Sequence, residues 1–389
     1  MKEIKTIGII GMGTIGNSIS YILQQAGLNV IGFKHKNRGG QMFKELMENG
    51  KIEIVNDTGY DIFPRKDTLQ IKVTSSLQEI VAKSDLIFNC CLFPQNSTIY
   101  EFSKLEKASL KKRKIPILAI PGTLGTNWLI GLESLNVGLM GCSPIFATKK
   151  DTHSLEGITT SLLDFKSKIP IGYDDLETRL FLLDFLNEHF KFKNNASTFI
   201  DGGSSIQTAL SSPVSAINAS AICDNAEKLI HSKKETIKED IYMLSEEYSL
   251  LFQKIFDEQL TVANLLQIPK PQTIKEWLRN RKKNIQADNI TEMLEEIYKE
   301  KYITISKQDR RLSETFYALS YFSFFAEALG HTVSTTNHLL YKLNDLQKSV
   351  NTDPFSENII LSLKQSATSY AEHIKVKRNS NKRKETQMV

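Results

Sequence analysis

The chain begins with an apolar run, Ile7-Gly8-Ile9-Ile10, that breaks into Gly11-Met12-Gly13-Thr14-Ile15-Gly16 and resumes with apolar residues at helical spacing, Ile15, Ile19, Ile22, Leu23 and Ala26. Strand, glycine turn and helix in that order open a βαβ unit. The first glycine makes the tight turn, the second lets backbone approach a pyrophosphate, and the third lets helix and strand pack closely. Gly27 stops the helix. The unpaired N–H groups and positive dipole end of such a helix favour negative charge, so Gly11, Met12, Gly13, Thr14, Ile15 and Gly16 are expected to hold a dinucleotide. The next strand, Leu28–Phe33, ends without the Asp or Glu that bonds the ribose hydroxyls in an NAD site. Lys34, His35, Lys36 and Arg38 follow instead. Charge-assisted bonds to a 2′-phosphate are the stronger class, so NADP is expected in preference to NAD.

At 389 residues the chain has room for two domains, and its 41% hydrophobic content suits packed cores over disorder. Strand-like runs recur at Lys51–Val55, Leu69–Val73, Asp85–Cys91, Ile115–Ile120 and Gly138–Cys142, with helical patterns between several of them. Such alternation specifies an α/β Rossmann fold, doubly wound with a mainly parallel sheet. Ligand crevices form at the carboxyl ends of such strands, which nominates Cys90-Cys91-Leu92-Phe93-Pro94 and Pro121-Gly122-Thr123-Leu124-Gly125-Thr126. The stretch from Ile158 to Tyr173 reads as extended, and Asp175–Phe190 as helical. Beyond Asp201-Gly202-Gly203 long helical periodicities dominate, at Ala209–His231, Lys238–Glu258, Ile290–Tyr302, Leu312–Leu329 and Thr336–Val350. The expected organisation is a dinucleotide-binding domain over 1–200, an all-α substrate or dimerisation domain over 201–374, and a basic, disordered tail over 375–389.

The net charge of +5 is carried by that tail, where six Lys and Arg face one acid, so the remainder is neutral and lacks the footprint of a nucleic-acid binder. No apolar run approaches the roughly 18 residues of a membrane helix. The N-terminus shows no secretory n-region and h-region, and a cytoplasmic protein is expected. Four cysteines, Cys90, Cys91, Cys142 and Cys223, contain no Cys-x-x-Cys and suggest buried thiols in place of a disulfide framework or metal site.

A nicotinamide enzyme needs a proton donor or acceptor as hydride moves, and often a cation for a substrate carboxylate. Of the seven histidines, only His331 and His338 form a pair close in sequence. The order of parts from Ile4 to about Leu343 resembles the opine dehydrogenases of the octopine and nopaline type, which reductively condense an amino acid with a 2-keto acid using NAD(P)H. The resemblance rests on Gly11-x-Gly13-x-x-Gly16, on Pro121-Gly122-Thr123 after a late strand, and on Leu210-Ser211-Ser212-Pro213-Val214-Ser215-Ala216-Ile217-Asn218. It closes on Arg310-Arg311-Leu312-Ser313-Glu314-Thr315, Ala326-Glu327-Ala328-Leu329-Gly330 and Thr335-Thr336.

The family pattern places a catalytic His directly before the proline of the third motif and pairs it with an Asp ending Arg-x-x-x-Glu-Asp. This chain has Ser212 and Thr315 in those places. A hydroxyl has no accessible charge change near pH 7, so it orients substrate or water and does not replace His as general acid. The resemblance implies that Arg310 clamps a carboxylate and that Thr123 and Asn218 position substrate, with Ser212 and Thr315 shaping the pocket. Proton donors left open are Glu314, Lys228, His331 and water. From their place at the carboxyl ends of strands, Cys91, Pro121 and Gly122 are expected to border the cofactor, and by the resemblance the second domain is similar to that of 6-phosphogluconate dehydrogenase. The expected activity is NADP(H)-dependent hydride transfer to a C=N or C=O carbon beside a carboxylate, on small amino acid or keto acid substrates, with a homodimer left open. Two alternatives stand beside it. One is a ketopantoate-reductase-like or hydroxyacid-type reductase using a helical-domain lysine such as Lys228, and the other a catalytically inactive NADP-binding sensor or partner protein.

Overall fold

Successive residues of a strand face opposite sides of its sheet, so the uninterrupted apolar run at the N-terminus demands cover on both faces. The computed structural model describes residues 3–35, 46–58, 63–91, 93, 104–129, 137–150, 158–190, 198–231, 236–239, 244–269, 272–282, 284–298, 303–306, 310–350 and 355–387. It meets that demand. Ile7 and Ile9 of β1 (Thr6–Ile10) enter one core with Leu86, Phe88 and Leu118, while Ile10 enters another with Ile87 and Ile117.

The chain divides into two units, residues 1–122 with 130–209, and residues 123–129 with 210–389. The first holds an eight-stranded sheet. In chain order its strands are β1, β2 (Asn29–Phe33), β5 (Lys72–Thr74), β6 (Leu86–Asn89), β7 (Ile117–Ala119), β8 (Val137–Met140), β11 (Lys168–Gly172) and β12 (Thr198–Asp201). Their spatial order is β12-β11-β8-β7-β6-β1-β2-β5. Every pairing is parallel except β11 with β8. Strand order reverses at β1, with β2 on one side and β6 on the other, which places the crevice at the carboxyl ends of β1 and β6.

Not every expected strand joins this sheet. β3 (Lys51–Asn56) and β4 (Lys66–Gln70) belong to a second sheet of order β4-β3-β10-β9, with β9 (Ile145–Lys150) and β10 (Ile158–Phe165). It packs on the helix Thr14–Gln25, and Asn17 Nδ2 donates to Thr160 Oγ1 at 3.2 Å within that contact. The run expected over Leu69–Val73 is split at Ile71 between the two sheets.

In the second unit the helix Arg310–Ala328 packs against Val214–Asp224, Ser334–Val350 and Glu357–Gln387, and Glu246–Leu265 packs against Val214–Asp224 and Ser334–Val350. Tyr321, Phe322 and Phe325 are buried on the first of these helices. The helix expected over Ala209–His231 is instead three, Ser205–Leu210, Val214–Asp224 and Ala226–His231; the first break falls where Pro213 cannot continue a helix interior, the second at Asn225. The one expected from Lys238 starts at Glu246, since β13 (Thr236–Glu239) pairs antiparallel with β14 (Ile303–Ser306). The Glu258 carboxylate caps Ser334–Val350, accepting from Thr335 N at 2.7 Å, Thr336 N at 2.9 Å and Thr336 Oγ1 at 2.7 Å. Residues 375–387, expected as a disordered tail, continue the helix Glu357–Gln387. Among the described residues no helix is long and apolar enough to cross a membrane.

Candidate functional site

The glycine loop is built so that each glycine is needed for a different reason. Gly11 has φ +97°, in the left-handed region, and a Cβ there would lie 2.9 Å from Cys91 Sγ. A Cβ on Gly16 would lie 2.2 Å from the Gly11 carbonyl oxygen, so only glycine lets the helix start against the turn. Gly13 differs: a Cβ there would meet nothing within 4 Å. No packing requires glycine at that position, which leaves backbone access as the physical reason for it. Gly13 is also the N-cap of Thr14–Gln25 and offers no side-chain bond, so the first N–H groups of Thr14, Ile15 and Gly16 lack the usual capping oxygen. The loop itself is fixed from below. Gly11 N–H donates to Phe33 O, Gly13 N–H to Gly11 O, and Cys90 N–H to Ile10 O, while the Met12 side chain is buried over Gly32.

Lys34 stands beside this loop, its ammonium donating to Met12 O at 3.2 Å and its own N–H donating to Thr74 O. Lys34 and His35 are both half-buried. Lys36 and Arg38 lie outside the described residues. At the carboxyl end of β6, Cys90 is buried and burial pushes its thiol well up from the ordinary range, while Cys91 is half-buried. Asn89 is fully buried between them and the sheet; its Oδ1 accepts from Cys91 N–H at 3.2 Å and its Nδ2 has no partner among the described residues. Sequence reasoning passed over Asn89. The signal available was an amide ending an otherwise apolar strand, Leu86-Ile87-Phe88-Asn89. At the end of β7, Pro121 follows Ile120 through a cis bond, and Gly122 packs against Leu139, its N–H donating to Met140 O at 2.7 Å.

The remaining expected site residues lie in the second unit. Thr123 is half-buried and its carbonyl accepts from Thr126 N–H at 3.0 Å. Ser212 sits in the break before Val214–Asp224 and is 9% exposed, while Thr315, 2% exposed, lies on Arg310–Ala328, which packs on that helix. Ser212 and Thr315 are therefore buried hydroxyls on neighbouring elements. Asn218 and Glu314 are half-buried on the same two helices. Arg310 opens its helix, and its side chain lies outside the described residues. Lys228 is exposed on Ala226–His231, donating to Asn225 Oδ1 at 3.3 Å. His331 ends the turn after Ala328, its N–H donating to Ala326 O.

No protein-family model and no curated protein matches the sequence. Solved structures do match. The chain is similar to yersinopine dehydrogenase with NADP+ bound, at 10% identity and TM-score 0.69, over 94% of this chain and 99% of that one. It is similar to octopine dehydrogenase in complex with NADH and agmatine, at 12% identity and TM-score 0.68, over 93% and 95% of the two chains. A third likeness is to 2-dehydropantoate 2-reductase from Geobacter metallireducens, at 14% identity and TM-score 0.56, over 87% and 99%. The fold is shared along nearly the whole length at 10–14% identity, and the likeness to opine dehydrogenases read from the motifs is met again in three dimensions.

Proposed function

We propose that this chain binds NADP(H) and is an oxidoreductase acting on a C=N or C=O carbon beside a carboxylate, in the manner of the opine dehydrogenases whose fold it shares. The observation that carries the cofactor reading is Gly13, a glycine with open space over its α-carbon at an uncapped helix start. The backbone from Met12 to Gly16 holds the pyrophosphate, and Lys34 with Lys36 and Arg38 holds the 2′-phosphate. When bound, the nicotinamide supplies or accepts the hydride.

On the substrate side, Arg310 clamps the carboxylate, while Thr123 and Asn218 orient the reacting carbon's substituents. Ser212 and Thr315 close the pocket wall and donate hydrogen bonds without changing charge. Glu314, half-buried on the helix that carries Arg310, is the titratable group of this set nearest in sequence to Thr315 and serves as proton source, directly or through water. A lysine-assisted mechanism of the 2-dehydropantoate reductase kind is disfavoured by the exposure of Lys228.

The test is NADPH oxidation across amino acid and 2-keto acid pairs, followed by Arg310→Ala. Loss of turnover with retained NADPH binding supports the reading. Absence of turnover with every pair, together with an Arg310→Ala variant that binds substrate acids as the parent does, overturns it. The Ser212→His, Thr315→Asp double variant separates the non-catalytic reading, which the two buried hydroxyls favour: activity found only in the double variant marks a chain that binds the cofactor without using it.

A further inference from the structure

One groove of the helical unit is lined by none of the residues assigned to cofactor or substrate. It encloses about 810 Å³ between Glu246–Leu265 and Ile290–Tyr298, which pack on each other, with Lys275 of Ile274–Arg279 also in its lining. That volume is in the range of small-molecule sites. Helical spacing builds both walls. Glu246, Leu250 and Gln253, with Ser249 between, recur at three- and four-residue intervals and so share one face of the first helix. Thr291, Glu292 and Glu295 do the same on the second.

Four acids, Glu246, Asp288, Glu292 and Glu295, meet one cation in this lining, Lys275. Asp288 is engaged by Arg279 at 2.7 Å. The other three carboxylates are exposed and form no ion pair among the described residues. A first helical turn favours an acid, which accounts locally for Glu246 and Glu292; it does not account for Glu295, one turn further on, nor for acidic walls that face each other. Ser249 is an independent sign. It lies on the groove face, 4% exposed, and its Oγ has no hydrogen-bond partner among the described residues, a state that costs the hydroxyl its hydration without a replacement. The groove therefore lacks both positive charge and a polar partner.

We infer that this groove binds a linear aliphatic polyamine. Among the described residues no three carboxylate, thiol or imidazole groups converge closely enough to hold a metal ion, so the acids are too widely spread for one divalent cation. A chain of ammonium groups separated by methylenes matches that spread. Each ammonium brings donors and no acceptor: the ends pair with Glu246 on one wall and with Glu292 and Glu295 on the other, and Ser249 and Gln253 supply neutral acceptors between them. The exposed Leu250 and the half-buried Ile290 cover the methylenes.

Isothermal titration calorimetry of the full chain with spermidine tests this. The wild type takes up one spermidine per chain, more weakly as salt rises, and magnesium chloride at matched ionic strength does not displace it. The Glu292→Gln, Glu295→Gln double variant keeps the wild-type circular dichroism and binds spermidine roughly tenfold more weakly. Glu246→Gln, on the opposite wall, weakens it several-fold and serves alone should the double variant fail to fold. Absence of saturable binding, wild-type affinity in the variants, or displacement by magnesium overturns the proposal. So does a wild type that binds a lysine-rich peptide and not spermidine.

Discussion

Gly13→Ala and Gly16→Ala remove the same hydrogen from the same loop, and the structure assigns them opposite outcomes. At Gly16 the new Cβ lies 2.2 Å from the Gly11 carbonyl oxygen and 3.2 Å from Ile9 Cγ2. Ordinary contact begins near 3.5 Å, so backbone must retreat by about an ångström; overpacking of this order costs about 1–3 kcal/mol. Thermal unfolding of the unit that carries the loop, about 200 residues, should fall by several degrees, roughly 2–4 °C per kcal/mol. At Gly13 the Cβ meets nothing within 4 Å and φ is −113°, so alanine is tolerated. The lost N-cap preference and the reduced freedom of the unfolded chain nearly cancel, leaving Tm within a degree or two by that balance. The methyl group stands where a phosphate must approach, displacing one or two charge-assisted hydrogen bonds worth about 1.5–3 kcal/mol, or roughly 10- to 100-fold in Kd. Differential scanning fluorimetry and quenching of intrinsic fluorescence by NADPH read the two quantities. A Gly13→Ala protein that binds NADPH like the parent would refute the placement of the pyrophosphate.

Lys34→Glu should weaken NADPH by at least tenfold while leaving NADH unchanged or improved; because Lys34 also bonds Met12 O, equal losses for the two cofactors would reassign it to loop support. Cys91 is the one described cysteine that is not buried, and it lies against Gly11, so N-ethylmaleimide should label it first and abolish NADPH binding, and bound NADPH should protect it; labelling without loss of binding contradicts this. Glu79 sits between Lys72 at 2.6 Å and Lys83 at 2.8 Å, which hold its carboxyl down to about 2. Its folded-state pKa is depressed, so its stabilising effect is present above about 4.5, is lost as pH falls toward 2, and should vanish from the acid limb of a Tm-versus-pH curve in Glu79→Gln. Glu258→Gln weakens three bonds at the start of Ser334–Val350 and should destabilise the protein by about 0.5–2 kcal/mol, measured by urea denaturation; an unchanged midpoint would show the cap to be dispensable.

The dinucleotide unit was readable because its signals are local. Glycine turn, apolar strand and periodic helix lie within 22 residues of one another, from Thr6 to Gly27. The second sheet was not readable, since β3 finds β10 in parallel about a hundred residues later, and nothing near Lys51 distinguishes that partner from a Rossmann neighbour. The same reason hid the β13–β14 ribbon, where Thr236 opposes Ser306. In the helical unit the periodicities placed Leu312–Leu329 and Thr336–Val350 within two residues of the helices found, yet Lys238–Glu258 is displaced by seven or eight residues, and the break at Ser211-Ser212-Pro213 was not read as a helix boundary although its proline marks one. Asn89 escaped notice because an unsatisfied amide is a fact of burial, invisible until the strand is packed.

The segment Thr123–Leu129 is counted with the helical unit although it is synthesised inside the first. Trp128 stacks on Tyr370 with ring centroids 5.0 Å apart, and Gly125 lies so close under Tyr321 that a Cβ there would strike the ring. At about 5–20 residues per second, Trp128 leaves the ribosome roughly ten to fifty seconds before the tyrosine it stacks on. Through that interval an indole that is half-buried in the folded chain lacks the ring it stacks on. Expressing the helical unit alone from a boundary near residue 210 would therefore leave it without one of its own pieces.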